Sequence, residues 1–283
     1  MSGVTDGATE PTRQGAAAQI RRLAEREFQT VLRTPLYWLL ALGALALVAG
    51  LTLLGGATGY LPLVLDLLTP LEALVPVLAF AFGYRAVLGD RERGELETLR
   101  TYPLSKYRFV VGVYLGRALA LLAVVVGALV VAGLLVPLTD AGQVQRVAAH
   151  ATVDTPLLFL RLVVLTALFG LVTLSAAVAA SAAARSGRSG LVLATLSVVA
   201  LIVGLDALLV GGITTGLLPE SVVTALSALS PNSAFRGLVF SLAVRPAGGL
   251  DVPTGPGALG AGLGLSVWLV GGLVLAAHLA WRE

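Results

Sequence analysis

Between Ala118 and Val136 the chain reads ALALLAVVVGALVVAGLLV, a run without one charged side chain. In hydrocarbon the backbone N–H and C=O groups of such a run must bond to one another, which forces a helix. At a rise of about 1.5 Å per residue, roughly 20 residues cross an apolar layer of about 30 Å. Comparable stretches recur, and the spacing predicts spans at about 36–54, 69–88, 109–136, 156–183, 191–212 and 258–281. Thr34-Pro35 supplies an N-cap and a first-turn proline for the first of them. With 57% hydrophobic and 12% charged residues and a mean hydropathy of +0.92, the 283 residues read as an all-α membrane protein with six transmembrane helices.

Residues 1–15 are polar and carry Asp6 and Glu10, so they predict a disordered tail and no cleaved secretory signal. From Ile20 the apolar positions Ile20, Leu23, Ala24, Phe28, Val31 and Leu32 fall near helical spacing with arginines on other faces. Residues 16–34 therefore predict an amphipathic interfacial helix, ahead of a six-helix domain over 35–283. Six spans put both termini on one side. Placing them in the cytoplasm collects Arg13, Arg21, Arg22, Arg26, Arg33, Arg85, Arg91, Arg93, Arg100, Lys106, Arg108, Arg185, Arg188 and Arg282 there, fourteen of the 19 basic residues, as the positive-inside rule demands. Arg117, inside the third span, lies within snorkelling reach of that side.

Catalytic chemistry is scarce. The chain has no cysteine and two histidines, His150 and His278, which do not make a metal site, and the net charge of +3 does not argue for nucleic acid. His150 with Asp154 is the one pair that could polarise a water. ARSGRSG at 184–190 lacks the lysine and the spacing of a phosphate loop and reads as a tight turn between helices. Ionisable residues within spans are functional candidates because they are costly there: Asp206 in the fifth, Glu72 in the second and Arg161 in the fourth. Against a substrate contact stands a structural role, with Asp206 protonated or paired to Arg161 and Glu72 reaching interfacial water. SAAVAASAAA at 175–184 offers a small-residue face for close helix packing or for a sliding contact.

Outside the spans two segments stand out. SPNSAFRGLVFSLAV from Ser230 pairs a capping serine and an opening proline with a stripe at Phe235, Leu238, Val239 and Leu242, which predicts an external helix before the last span. ERGELETLRTYPLSKYR, Glu92 to Arg108, is the longest charged stretch. Good helix formers run from Asp90 to Thr101, Leu96 and Leu99 share a face with Leu88, and Pro103 stops the helix. A solvated loop would satisfy topology alone; interleaved charge of both signs on a short helix suits docking of a charged partner.

FGYRAVLGDRERGELETLRTYPLSKYRFVVGVYLGR, Phe82 to Arg117, resembles the first cytoplasmic loop of type-2 ATP-binding-cassette (ABC) permeases. LSPNSAFRGLV at 229–239 is similar to a segment before the last span in the NosY-like branch of that family, with Asn232, Phe235 and Arg236 at the matching positions. The resemblance implies a permease subunit in the cell membrane that pairs with a second permease chain, as homodimer or heterodimer, among membrane lipid. A cytosolic ABC ATPase subunit would bind ATP and Mg, with no cofactor on this chain. By position the coupling helix would be Asp90 to Arg100, with Asp90, Arg91, Glu92, Arg93, Gly94, Glu95, Leu96, Leu99 and Arg100 at the contact. NosY-like members are associated with copper-site maturation of nitrous oxide reductase, yet a chain with one methionine and no cysteine offers copper little. Two other readings remain: an intramembrane enzyme using Asp206 or His150 with Asp154, and a non-transporting scaffold or receptor.

Overall fold

The computed structural model describes residues 13–55, 59–97, 104–140, 154–216, 219–247 and 257–282. Among them there is no strand, and six helices are long and apolar enough to cross a bilayer. A leading helix, Arg13–Arg33, is followed by the first span Pro35–Leu54, the second Tyr60–Gly83 and a short helix Leu88–Glu92. The third span is Lys106–Asp140, the fourth Pro156–Ala183, and the fifth Gly187–Thr214. Two outer helices, Glu220–Ser227 and Pro231–Val239, precede the sixth span, Gly257–Ala280.

The fourth span is the centre of the bundle, touching the second, third, fifth and sixth spans and the second outer helix. Small residues bring the backbones close. A Cβ added at Gly83 would lie 2.6 Å from the Ala177 Cβ, and one at Gly272 would lie 2.6 Å from Ser175 Oγ. Close approach of this kind supplies the dispersion contacts that hold helices together where lipid offers no hydrophobic driving force. The small-residue face thus locks the fourth span to the second and the sixth. Phe169 of the same span stacks on Phe235 of the outer helix, with centroids 4.6 Å apart and planes 9° apart.

Three elements differ from the sequence expectation. The second span starts at Tyr60 instead of about Thr69, so Asp66 lies within it, because Asp154 caps it from across the bundle. The carboxylate accepts the Tyr60 and Leu61 N–H groups at 2.9 and 2.8 Å, neutralising the positive end of the helix. Gly59 makes the approach possible: its φ is 106°, and a Cβ there would sit 2.1 Å from Asp154 Oδ2. The fifth span is interrupted by a π-helical turn, Ala200–Gly204, and leaves most of its surface exposed. The leading helix does more than rest at an interface, since it packs on the start of the third span. Gly112 and Gly116 leave room for Leu23 and for the Ala24 carbonyl, which a Cβ would approach to 2.6 and 2.5 Å.

Candidate coupling site

The charged stretch folds as an elbow over residues 84–97, between the second span and the segment leading to the third. It is not one helix from Asp90 to Arg100. The Leu88–Glu92 helix stops at Arg93, Gly94 turns at φ 72°, and residues 95–97 are helical again. A left-handed residue inside good helix formers is tolerated because it is glycine. Leu99 and Arg100 lie outside the described residues.

Inward-facing groups pin the elbow to the bundle. The Val87 and Leu88 N–H groups donate to Ser181 Oγ at 3.0 and 3.1 Å. Arg91 donates to the Ala182 carbonyl at 3.0 Å, to the Ala184 carbonyl, and to the Leu279 carbonyl at 3.3 Å. One guanidinium therefore satisfies carbonyls that the ends of the fourth and sixth spans would leave open, placing a cation where the helix dipoles favour it. Asp90, only 1% exposed, accepts from Arg26 of the leading helix at 2.8 Å and from Arg93. Leu96 is buried as well. Asp90, Arg91 and Leu96 thus make contacts within the chain, tying the expected contact stretch to the bundle.

Arg26 extends the network. It reaches Glu95 at 3.1 Å and Glu27 at 2.9 Å, and Glu27 in turn accepts from Arg117 Nε at 2.9 Å. Arg117 also donates to the Tyr37 hydroxyl at 2.7 Å and to the Phe82 carbonyl at 3.3 Å. Glu27 and Arg117 are both buried. A continuous ionic path thus runs from the elbow through the leading helix into the third span. Three arginines (Arg26, Arg93, Arg117) meet three carboxylates (Glu27, Asp90, Glu95), so the buried charges are balanced rather than isolated. Sequence reasoning missed Glu27, although an acid in line with Ile20, Ala24 and Val31 on the apolar face was the available signal.

Outward, the elbow presents Glu92, Arg93, Gly94, Glu95 and Glu97. Glu92 bridges to Arg85 at 2.7 Å. The Arg93 hydrogen bond holds the Glu95 carboxyl below its usual range, and the same bond raises the Arg93 guanidinium.

At the opposite end, a second polar cluster joins the outer helix Pro231–Val239 to the spans. Arg236 makes a two-pronged pair with Glu72, Nε to Oε1 at 2.7 Å and a second bond to Oε2. Glu72 is buried and paired, not reaching interfacial water. Asp206 accepts from the Ser230 and Ser233 hydroxyls at 2.5 and 2.8 Å. Of the two structural roles considered for it, protonation or pairing with Arg161, the pairing does not form; Arg161 donates to the Leu242 carbonyl at 2.8 Å. Asn232 donates to the Ile202 carbonyl at 3.2 Å, inside the π-turn of the fifth span. The external helix is thereby riveted to the second and fifth spans.

The described residues considered for catalysis are otherwise occupied. Asp154 is a helix cap, His278 bonds the Val274 carbonyl, and His150 lies outside the described residues. Among the described residues no group of three His, Asp or Glu side chains gathers to hold a metal.

Six membrane-length helices, with their ionic chemistry gathered into a packed elbow at one end and an outer rivet at the other, define a multi-pass α-helical membrane protein. The chain belongs to the ABC-2 family transporter proteins, whose family profile matches residues 21–279. It is 34% identical over 119 residues to the "Probable ABC transporter permease protein NosY" of Stutzerimonas stutzeri, covering 38% of this chain and 42% of that one. Against the protein of the same description from Pseudomonas aeruginosa it is 35% identical over 115 residues, covering 37% and 41%. The match spans less than half the length of these curated relatives.

Proposed function

We propose that this chain is the permease subunit of an ATP-driven exporter, with the elbow as the dock for a separate cytosolic ATPase subunit that binds ATP and Mg. The observation that carries the reading is the way the elbow is tied in. Arg91 grips the ends of the fourth and sixth spans, and the Asp90–Arg26–Glu27–Arg117 path grips the leading helix and the third span. A displacement applied to the exposed Glu92–Glu95 edge is delivered to several spans at once, because packed elements with fixed polar contacts move as bodies. Family membership and the NosY permease relatives support the same reading. The arginines around the elbow, both ends of the chain and the 184–188 turn support a cytoplasmic side for all of them. A second permease chain completes the transporter in the cell membrane.

The test is purification of the tagged chain in mild detergent with mass spectrometry of its partners, beside the Glu92→Ala/Glu95→Ala variant. Recovery of an ATPase subunit with the parent and its loss with the variant supports the reading. A chain that emerges alone in both forms, from cells in which the ATPase is present, refutes it. The intramembrane-enzyme reading has no observation in its favour, since Asp154 and Asp206 both spend their carboxylates on structural bonds.

A further inference from the structure

Between the fourth, fifth and sixth spans lies an apolar cleft of about 410 Å³. Its walls are the small residues Ala176 and Ala180 of the fourth span, Leu193 and Leu201 of the fifth, and Leu275 and Leu279 of the sixth; Trp268 lines its inner end. Over the 11 residues from Leu279 back to Trp268 a helix rises about 16 Å, roughly one leaflet of a hydrocarbon core about 30 Å thick. The cleft therefore has the depth of a single acyl chain entering from the elbow side.

The mouth is basic. Leu275 and Leu279 line the last turns of the sixth span, and exposed Arg282 follows the helix end at Ala280 by two residues. Ala183 lines the cleft, and exposed Arg185 follows two residues later; exposed Arg188 stands in the first turn of the fifth span, below Leu193. The carboxylate beside this turn, Glu92, is engaged by Arg85. Near the mouth, the Arg91 guanidinium is spent on the carbonyls of Ala182, Ala184 and Leu279. A second copy of the chain covering this face would bring two such arginine sets together, and like charges oppose association.

We infer that this cleft is a binding site for an anionic phospholipid of the leaflet on the elbow side, one acyl chain lying along the alanine face and the headgroup held by Arg185, Arg188 and Arg282. Each arginine near an anionic surface contributes about a fivefold preference. A lipid seated there rests against the two span ends that Arg91 joins to the elbow. The site stands on the cleft and its mouth alone and does not depend on the transport reading.

The chain contains three tryptophans, so Trp38→Phe/Trp281→Phe leaves Trp268 as the reporter inside the cleft. The purified full chain is reconstituted in phosphatidylcholine vesicles doped either with phosphatidylglycerol carrying brominated acyl chains or with phosphatidylcholine brominated in the same way. The expected result is quenching of Trp268 at an at least tenfold lower fraction of the anionic lipid, with the preference lost in Arg185→Gln/Arg188→Gln/Arg282→Gln. An unchanged thermal midpoint in detergent checks that this variant keeps the fold; Ala180→Leu, which fills the cleft, should remove quenching by both lipids. Equal quenching by the two headgroups in the parent overturns the proposal. So does a preference that survives the arginine variant. Absence of quenching by either lipid also overturns it and means that protein covers the cleft.

Discussion

Replacing Glu27 by leucine removes the acid on which the buried Arg117 guanidinium rests. Arg117 is 6% exposed at its side chain and keeps only neutral acceptors, the Tyr37 hydroxyl and the Phe82 carbonyl. Breaking a buried pair from one side costs about 3–5 kcal/mol, and the two remaining acceptors place Glu27→Leu near about 3 kcal/mol. Arg117→Met costs less, about 2 kcal/mol, because Glu27 retains Arg26 at 2.9 Å. The double variant buries neither an orphaned cation nor a poorly paired acid and loses only about 2 kcal/mol, giving a coupling energy of about 3 kcal/mol. Thermal unfolding in detergent, followed by fluorescence-detected size exclusion, reads this as a fall of roughly 6–12 °C for Glu27→Leu alone. The double variant should be no worse than the milder single. Additive losses, with a coupling energy below about 0.5 kcal/mol, would refute the claim that these charges form one buried link between the leading helix and the third span.

Asp206→Asn keeps an acceptor but loses two charge-assisted bonds to Ser230 and Ser233, and it should cost about 1–2 kcal/mol and expose the outer helices to protease before the spans unfold. Gly59→Ala combines a left-handed backbone with a clash on Asp154 and should cost about 2 kcal/mol or more, whereas Gly43→Ala, helical with open space around it, should gain about 0.5–1 kcal/mol; both are read as thermal midpoints. Glu95 titrates below its ordinary value when folded, so its contribution is complete above the unfolded value of about 4.3 and fades as pH falls through the lower folded value. Half-exposed, that contribution stays under about 1 kcal/mol; the thermal midpoint of the parent should show a small extra loss below about pH 4 that Glu95→Gln does not show.

What the sequence disclosed depended on whether a cause was local. The fourth span was legible to the residue, Pro156–Ala183, because a proline starts it and a charged turn ends it. The second span was misplaced because the group that starts it, Asp154, is more than ninety residues away along the chain. Glu72 and Arg236 were each visible as candidates, but their pairing joins residues 164 apart in sequence. Asp206 found hydroxyls rather than the arginine considered for it, since two serines at the start of the outer helix offer it O–H donors. The elbow was recognisable as a charged helical segment from its propensities. Its division at Gly94 and the inward turn of Asp90 and Arg91 depend on the span ends beneath it, which no local pattern encodes.

The chain has no native cysteine, so single thiols can test the proposed dock for an ATPase subunit. Cysteine is placed at Glu92 or Glu97 on the outer edge of the elbow and, as a counterpart, at exposed Thr215 on the opposite side of the bundle. Cross-linking with a short thiol-to-amine reagent, read by mass spectrometry, should join the elbow positions to the ATPase subunit and leave Thr215→Cys unlinked. Capture of the subunit from Thr215→Cys, or co-purification of the ATPase without any elbow cross-link, would contradict the assignment of the elbow as the coupling site.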